Sequence, residues 1–441
     1  MISRIKNSIK SINFKLFFAL LLMGLLPTIY TTVRIFFLGA LPVDWGFNIA
    51  SQLSWVNLFY EVIGEALILP LFFLMGKSLK NENEFSNKVR TGILLTFTVY
   101  TILSLFIFIF SEPLIRFMAQ DVSVIAETAT YIKLETIANI FATLVKFGII
   151  VLVIINKEKL LYIVLAIQML LSILSDTFLV STFNFSLNLG VNGIAITNII
   201  VNILLFILLI ELLNKENIKV FKTDKLSFGW MKEWAKVGIY SGIESFVRNL
   251  AFMIMIIRMV NIVGEQGTFW VANNFIWGWL LLPVLQLGEL VKRDCGEDKY
   301  AAKEKILGYF TITTGIVLLW FISIPLWSPF IKNVMNVKNY EEVFFVAIIS
   351  MGFYILFAFN NVIDSIFYGV GKTNYMLFQS VAVNTLFYGT AFLLYIAGIY
   401  TPTLVGISLM FAVGTAVDSV LTFGMFIWYK KKQTFKHVSY L

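Results

Sequence analysis

The chain is a succession of about twelve long apolar runs, and marks between runs of its first half return in its second. A bilayer core about 30 Å thick takes roughly 20 apolar residues per helix. The predicted spans are 14–38, 47–75, 91–111, 124–154, 160–182, 190–213, 236–263, 268–290, 305–327, 342–368, 375–397 and 403–428. "FSEPLIRFM" opens at Phe110 and "SIPLWSPFIKNVM" at Ser323, placing Pro113 and Pro325 212 residues apart. "NGIAI" and "VGISL" place Gly193 and Gly406 213 apart; "NKEKLLY" and "GKTNYML" place Lys157 and Lys372 215 apart. One nearly constant offset reads as two six-span halves, the construction of many secondary transporters. The predicted fold is therefore an all-α membrane protein of twelve transmembrane helices in two pseudo-symmetric six-helix bundles. Residues 1–213 form the first bundle with its leader, 214–235 a cytoplasmic interfacial linker, and 236–441 the second bundle with a basic tail.

Charge placement sets the topology. Only 14% of residues are charged, against roughly 25% in soluble domains. The net charge of +8 does not mark a nucleic-acid binder. With the N-terminus inside, 26 of the 34 Lys and Arg fall in cytoplasmic segments, and the outer loops hold Arg116, Lys332 and Lys338. That bias is the positive-inside rule, and it predicts a multi-pass plasma-membrane protein with both termini cytoplasmic. The basic loops are read as topology signals and lipid-headgroup contacts.

The scarce residues exclude several chemistries. Cys295 is the single cysteine, predicted to sit in a cytoplasmic loop, so no internal disulfide or thiolate metal site forms. His437 is the single histidine, which excludes His-based triads and two-His zinc sites. No complete phosphate-cradling Gly-x-x-x-x-Gly-Lys-Ser/Thr motif occurs, so no ATPase is expected. The expectation is a transport protein, not an enzyme, without a covalent cofactor or a metal centre. The first apolar run exceeds a signal-peptide core and is read as retained. Before it, Ile2, Ile5, Ile9 and Ile12 recur at helical spacing with Arg4, Lys6 and Lys10 between them, an amphipathic helix on the inner leaflet. Trp230 and Trp234 of the linker are read as headgroup anchors. The segment Val291–Lys305 is read as a solvated loop of mixed charge.

The order of landmarks resembles the multidrug and toxic compound extrusion (MATE) transporters, within the multidrug/oligosaccharidyl-lipid/polysaccharide exporter superfamily. "LPTIYTTVRIFFLG" is similar to that family's first span, "SEPLIRFM" follows the third, "LGVNGIAITNII" opens the sixth, and "FYGVGKTNYM" follows the tenth. The resemblance covers nearly the whole chain. It implies two bundles forming a V and export of small organic compounds driven by inward Na⁺ or H⁺. The wider superfamily also contains flippases of lipid-linked sugars. Two positions depart from the family pattern. Where many bacterial members carry V-D-x-x-F-x-G, this chain reads Val33-Arg34-Ile35-Phe36-Phe37-Leu38-Gly39. Near the Glu that another branch keeps in the seventh span stands Arg248, with Glu244 one turn earlier.

Charges inside spans are costly, about 2.5–3.5 kcal/mol each at the bilayer centre, so they face a cavity and pair. Glu61 and Glu65 lie one turn apart on one helix face, with Asn57 continuing the stripe. Either they hold a cation or proton between them, or Arg34 on the neighbouring helix neutralises one. Glu244 and Arg248 form either an intrahelical ion pair or an exchange site. Asp364, following Asn360 and Asn361, offers hard oxygen ligands suited to Na⁺, or a helix contact. Asp176 ranks beside it. The cation-coupling candidates are therefore Glu61, Glu65, Glu244, Asp364 and Asp176. The substrate-cavity candidates are Arg34, Arg248, Asn57, Glu135, Asn139 and Asn360. The coupling ion is Na⁺ or H⁺, and the partners are a small organic substrate and membrane lipids, with the chain a monomer. The arginines leave a second reading open: a flippase or dedicated exporter of an anionic or lipid-linked substrate.

Overall fold

The computed structural model describes residues 2–41, 43–76, 78–79, 81–155, 157–220, 225–297 and 301–438. Among them there are helices and no strands. A short α1 (Ile2–Lys10) precedes α2 (Phe14–Leu38). The second predicted span is broken into α3 (Val43–Ser51), α4 (Leu53–Leu67) and α5 (Leu69–Gly76). Then follow α6 (Glu82–Ile109), α7 (Ser111–Phe117), α8 (Ile125–Ile154), α9 (Glu158–Leu179) and α10 (Gly190–Lys215). In the second half come α11 (Met231–Phe252), α12 (Arg258–Ile262), α13 (Gln266–Phe275), α14 (Leu282–Glu297), α15 (Ala301–Pro329), α16 (Tyr340–Gly369), α17 (Thr373–Ala382), α18 (Gly389–Ile396) and α19 (Leu404–Val438). Each predicted span finds helix at its place. Among the described residues, nine helices are long and apolar enough to cross a membrane. A tenth span is the bent pair Gln266–Leu280 and Leu282–Gly296, angled by 52°. The other two predicted spans, 47–75 and 236–263, are divided into shorter helices and carry Glu61, Glu65, Glu244, Arg248 and Arg258. These two pack against each other.

The repeat is written into backbone geometry. Lys157 caps α9 at φ −96° and ψ 55°, and Lys372 caps α17 at φ −97° and ψ 45°. Each amide bonds the carbonyl five residues earlier, Lys157 to Leu152 at 2.9 Å and Lys372 to Phe367 at 2.8 Å. The "SEPLIRFM" landmark is less well matched. In the first half it opens the separate α7; in the second, Pro325 and Pro329 lie within the continuous α15. Among the described residues, π-helical turns at Met253–Ile257, Ile276–Leu280, Phe330–Val334 and Val383–Tyr388 interrupt helices of the second half.

The described helices form two compact units, Met1–Thr28 with Thr268–Leu441, and Ile29–Gly267. These packing units divide the chain at other points than the 213/214 and 235/236 boundaries taken from the repeat. Each unit holds one segment from the opposite half. In the unit of residues 1–28 and 268–441, α2 meets the eighth span: Thr28 donates to the Gly278 carbonyl at 3.1 Å, and a Cβ on Gly24 would lie 2.6 Å from Leu282 Cδ1. There also, α1 packs on α15, where the Ser8 hydroxyl accepts from the Gly308 amide at 2.8 Å and Ile12 is buried. Arg4, Lys6 and Lys10 remain exposed.

In the unit of residues 29–267, α11 lies along α4. Pro70 has no N–H to offer the Ala66 carbonyl four residues back. That carbonyl points instead at Gly238, where an added Cβ would strike it directly. Ser241 Oγ donates to Glu65 O at 2.8 Å, and Trp234 Nε1 to Leu67 O at 2.7 Å. At the far end Gln52 and Asn261 exchange reciprocal amide bonds of 2.9 and 3.1 Å. Small residues and buried amides substitute here for the apolar surface these two spans lack.

Three expectations are corrected. Cys295 is not in a loop: α14 continues to Glu297 and buries it. The mixed-charge segment is not uniformly solvated, since Asp294 is buried under Lys305 at 2.9 Å and Tyr309 at 2.5 Å. The linker tryptophans do not both reach outward as headgroup anchors: Trp230 and Trp234 stack with centroids 4.8 Å apart, and the half-buried Trp230 donates to Thr91 at 3.0 Å. Trp234 is buried. Within the linker, Lys222 lies outside the described residues, as do Asp298, Lys299 and Tyr300 of the mixed-charge segment.

Candidate functional site

Three groups of charge lie inside the spans, and each solves burial differently. The first joins four spans of the 29–267 unit. From α2, Arg34 Nε meets Asp176 Oδ2 of α9 at 2.8 Å, and Arg34 Nη2 reaches Asp176 Oδ1 at 3.4 Å. The same Nη2 donates to Asn198 Oδ1 of α10 at 3.0 Å. Asn198 Nδ2 then donates to Glu135 Oε1 of α8 at 2.8 Å. The Asp176 side chain is 1% exposed and that of Arg34 13%. Glu135 and Tyr131, one helical turn apart, are also buried. One guanidinium thus serves two buried carboxylates, one directly and one through an amide. Arg34 therefore pairs with Asp176, and not with Glu61 or Glu65. Glu135 is not the wall of an open cavity. Asn139, one turn beyond it, has a buried Nδ2 without a partner.

The second group lies on the α4–α11 contact of the same unit. Arg248 Nη2 meets Glu65 Oε1 at 2.6 Å and Glu61 Oε1 at 3.1 Å, while Nη1 meets Glu244 Oε1 at 3.0 Å. So Glu61 and Glu65 are bridged by Arg248, from a span 183 to 187 residues away in sequence. Asn57, Glu61 and Lys146 are exposed. Inside spans, exposed polar side chains face a water-filled path rather than lipid. Among the described residues Lys146 has no carboxylate within ion-pair distance; its Nζ lies beside Gly64, one residue from Glu65.

The third group lies in the unit of residues 1–28 and 268–441. On α16 two stripes one residue apart face different neighbours. Asn361 donates to the Val284 carbonyl of α14 at 2.8 Å. Asn360 Nδ2 donates to Asp364 Oδ2 at 2.8 Å, and the Asp364 carboxylate also accepts from the Thr422 hydroxyl of α19 and faces Asp418. Among the described residues no basic side chain pairs with Asp364 or Asp418. Lys292, which acts on Asp364 from farther off, is taken by Glu289 at 2.6 Å. Asp364 Oδ1 and Asn360 Oδ1 are buried without any hydrogen-bond partner. Asn360 is fully buried, so it belongs to the wall of this polar pocket rather than to an open substrate path. Among the described residues no three His, Cys, Asp or Glu side chains come together as a metal-binding set.

Sequence reading missed Asn198, the amide linking Arg34 to Glu135, and the pairing of Asp418 with Asp364. The signal for Asn198 was a lone amide deep in "GIAITNII"; for Asp418 it was the single carboxylate of the last apolar span.

Repeated helical halves with charge clusters inside their apolar spans are the features of a multi-pass membrane fold. The MatE family model matches residues 76–178, and the fold is that of MATE transporters of the MOP superfamily. An inward-facing multidrug resistance MATE transporter superposes at a TM-score of 0.72 with 14% identity, over 92% of this chain and 94% of that one. The eukaryotic MATE transporter AtDTX14 matches at 0.69 with 18% identity, over 93% and 94%. A MOP superfamily transporter from Pyrococcus furiosus, described as having a binding pocket of reversed polarity that suggests a different function, matches at 0.65 with 15% identity, over 97% of both chains. No curated protein matches the chain by sequence.

Proposed function

We propose that the chain is a secondary exporter of small organic compounds, working by alternating access as a monomer in the plasma membrane with both termini cytoplasmic. Inward flow of Na⁺ or H⁺ drives it, and the ion is taken up at Asp364 and Asp418. The observation that carries this reading is two buried oxygens without a hydrogen-bond partner, Asp364 Oδ1 and Asn360 Oδ1, with a second carboxylate on α19 and no basic partner among the described residues. Carboxylate and amide oxygens are the ligands of a hard monovalent cation, and a carboxylate pair serves equally to hold a proton. An ion bound there changes the balance of inward-open and outward-open states only if those states differ in affinity for it. The MATE fold, shared with multidrug transporters, supports the substrate class.

The test is uptake of a cationic dye into proteoliposomes under an imposed Na⁺ or pH gradient, with Asp364→Asn beside the wild type. Expected is gradient-driven accumulation in the wild type and its loss in the variant, with the melting temperature maintained. Full accumulation by Asp364→Asn would sink the assignment.

A second reading, an exporter or flippase of an anionic or lipid-linked substrate, was drawn from Arg34 and Arg248. Both guanidiniums are held by carboxylates, which weakens that ground. Lys146 now favours it instead, as an exposed cation inside a span. If an organic anion is the cargo, Lys146→Ala abolishes its transport and leaves the cationic dye unmoved.

A further inference from the structure

Buried carboxylates in a membrane need a positive charge or a proton beside them. The two units meet that need in opposite ways. We propose that the Arg34 guanidinium is a tethered cation, filling a site formed by Asp176, Asn198 and Glu135 that would otherwise take a diffusible one. That site is thereby held permanently in its loaded form and takes no part in exchange of the driving ion. The inference rests on the ion-driven reading above and adds to it which carboxylates are withdrawn from exchange.

The geometry is that of a filled site. Arg34 sends Nε and Nη2 to the two oxygens of Asp176 and Nη2 also to Asn198 Oδ1, at 2.8, 3.4 and 3.0 Å. A paired guanidinium matches a carboxylate's two oxygens and does not lose its proton. Asn198 is turned so that its oxygen faces the cation and its nitrogen faces Glu135, the orientation an amide takes between a cation and an anion. Asp176 and Glu135 come from α9 and α8, held by helix packing independent of Arg34. Removing the guanidinium therefore leaves two carboxylates and an amide oxygen around an emptied space. By contrast, Asn360 in the other unit donates its nitrogen to Asp364 and leaves its oxygen unused. Arg34 acts here as a positioning residue, through Asp176 and Asn198.

The experiment is thermal unfolding of the purified full chain in detergent, titrated with methylguanidinium and with Na⁺ against choline at equal ionic strength. Wild type, Arg34→Ala, and Arg34→Ala with Asp176→Asn are compared. Expected is a saturable rise in melting temperature with methylguanidinium in Arg34→Ala alone, and recovery of dye transport by that variant in the same concentration range. Na⁺ stabilises Arg34→Ala at this site as well, an effect lost when Asp176→Asn is added. A merely structural ion pair predicts no gained response to Na⁺. Arg34→Ser, which also empties the guanidinium space, is the second variant if Arg34→Ala fails to fold, and it is read in the same way. No response in the folded variant beyond the choline control overturns the proposal. So does Na⁺ stabilisation of the wild type that survives Asp364→Asn but is lost with Asp176→Asn. Failure of the ion-driven reading shows elsewhere, as gradient-driven transport that persists in Asp364→Asn.

Discussion

The Arg34 cluster and the Asp364 cluster present the same physical problem with different solutions. Both hold two carboxylates within membrane-spanning helices, and in both an asparagine amide donates to one of them. In the first, Asp176 has a guanidinium at 2.8 Å; in the second, Asp364 keeps an oxygen without a partner. A fixed counter-ion makes a buried carboxylate a structural element, whereas a carboxylate without one is open to a mobile ion or a proton. Substitutions that remove charge should therefore act in opposite directions in the two places.

The largest expected effect is functional. Asp364→Asn combined with Asp418→Asn removes both carboxylates of the unpaired cluster, and gradient-driven accumulation in proteoliposomes falls to that of empty vesicles. Retained accumulation would erase the contrast. The largest loss of stability is expected from Asp176→Asn, which strands a buried guanidinium at a cost of roughly 3–5 kcal/mol. Asp364→Asn, the same chemical change, leaves the melting temperature unchanged or raises it, since the carboxylate lost had no cationic partner. Equal destabilisation by both would refute the comparison. Next is Gly238→Ala, whose Cβ must displace the Ala66 carbonyl and part α4 from α11, at about 1–3 kcal/mol. Gln52→Leu breaks the reciprocal bond to Asn261, and an interhelical bond of this kind contributes about 0.6 kcal/mol on average in membranes. A small drop in the midpoint of unfolding, rescued in part by Asn261→Leu, is expected.

The smallest effect lies outside the spans. The Ser123 backbone N–H and hydroxyl, each 2.8 Å from Asp121 Oδ1, hold that carboxyl below its usual range. A lowered value contributes stability above the ordinary aspartate pKa of about 3.9, lost as pH falls through the lowered one. Any difference between wild type and Asp121→Asn is therefore present near neutral pH and gone in strong acid, as unfolding curves at the two pH values would show.

Much of the fold was legible because membrane insertion acts on local composition. A span must satisfy its own backbone hydrogen bonds, so long apolar runs become helices wherever they pack. Phe14–Leu38 was bounded to the residue for that reason. The candidate site was legible as a set of residues and illegible as a set of pairs. Arg34 stood out at once, but its partner lies 142 residues away, and the choice between Asp176 and Glu61 depends on which helices meet. The breaks at Gln52 and Ile68 were also hidden, since the stretch from 47 to 75 has the length of one span and reads as a single helix.

The sequence by itself determined the helices, their repeat and the sign bias of the loops, because these follow from short stretches of side chains against lipid and water. Tertiary structure alone decided that α11 lies along α4, and that Arg248 bridges Glu61, Glu65 and Glu244. It also decided that Arg34 is paired while Asp364 is not. Those outcomes depend on distances of a few ångströms between helices far apart in the chain, and an ion pair forms or fails on that scale.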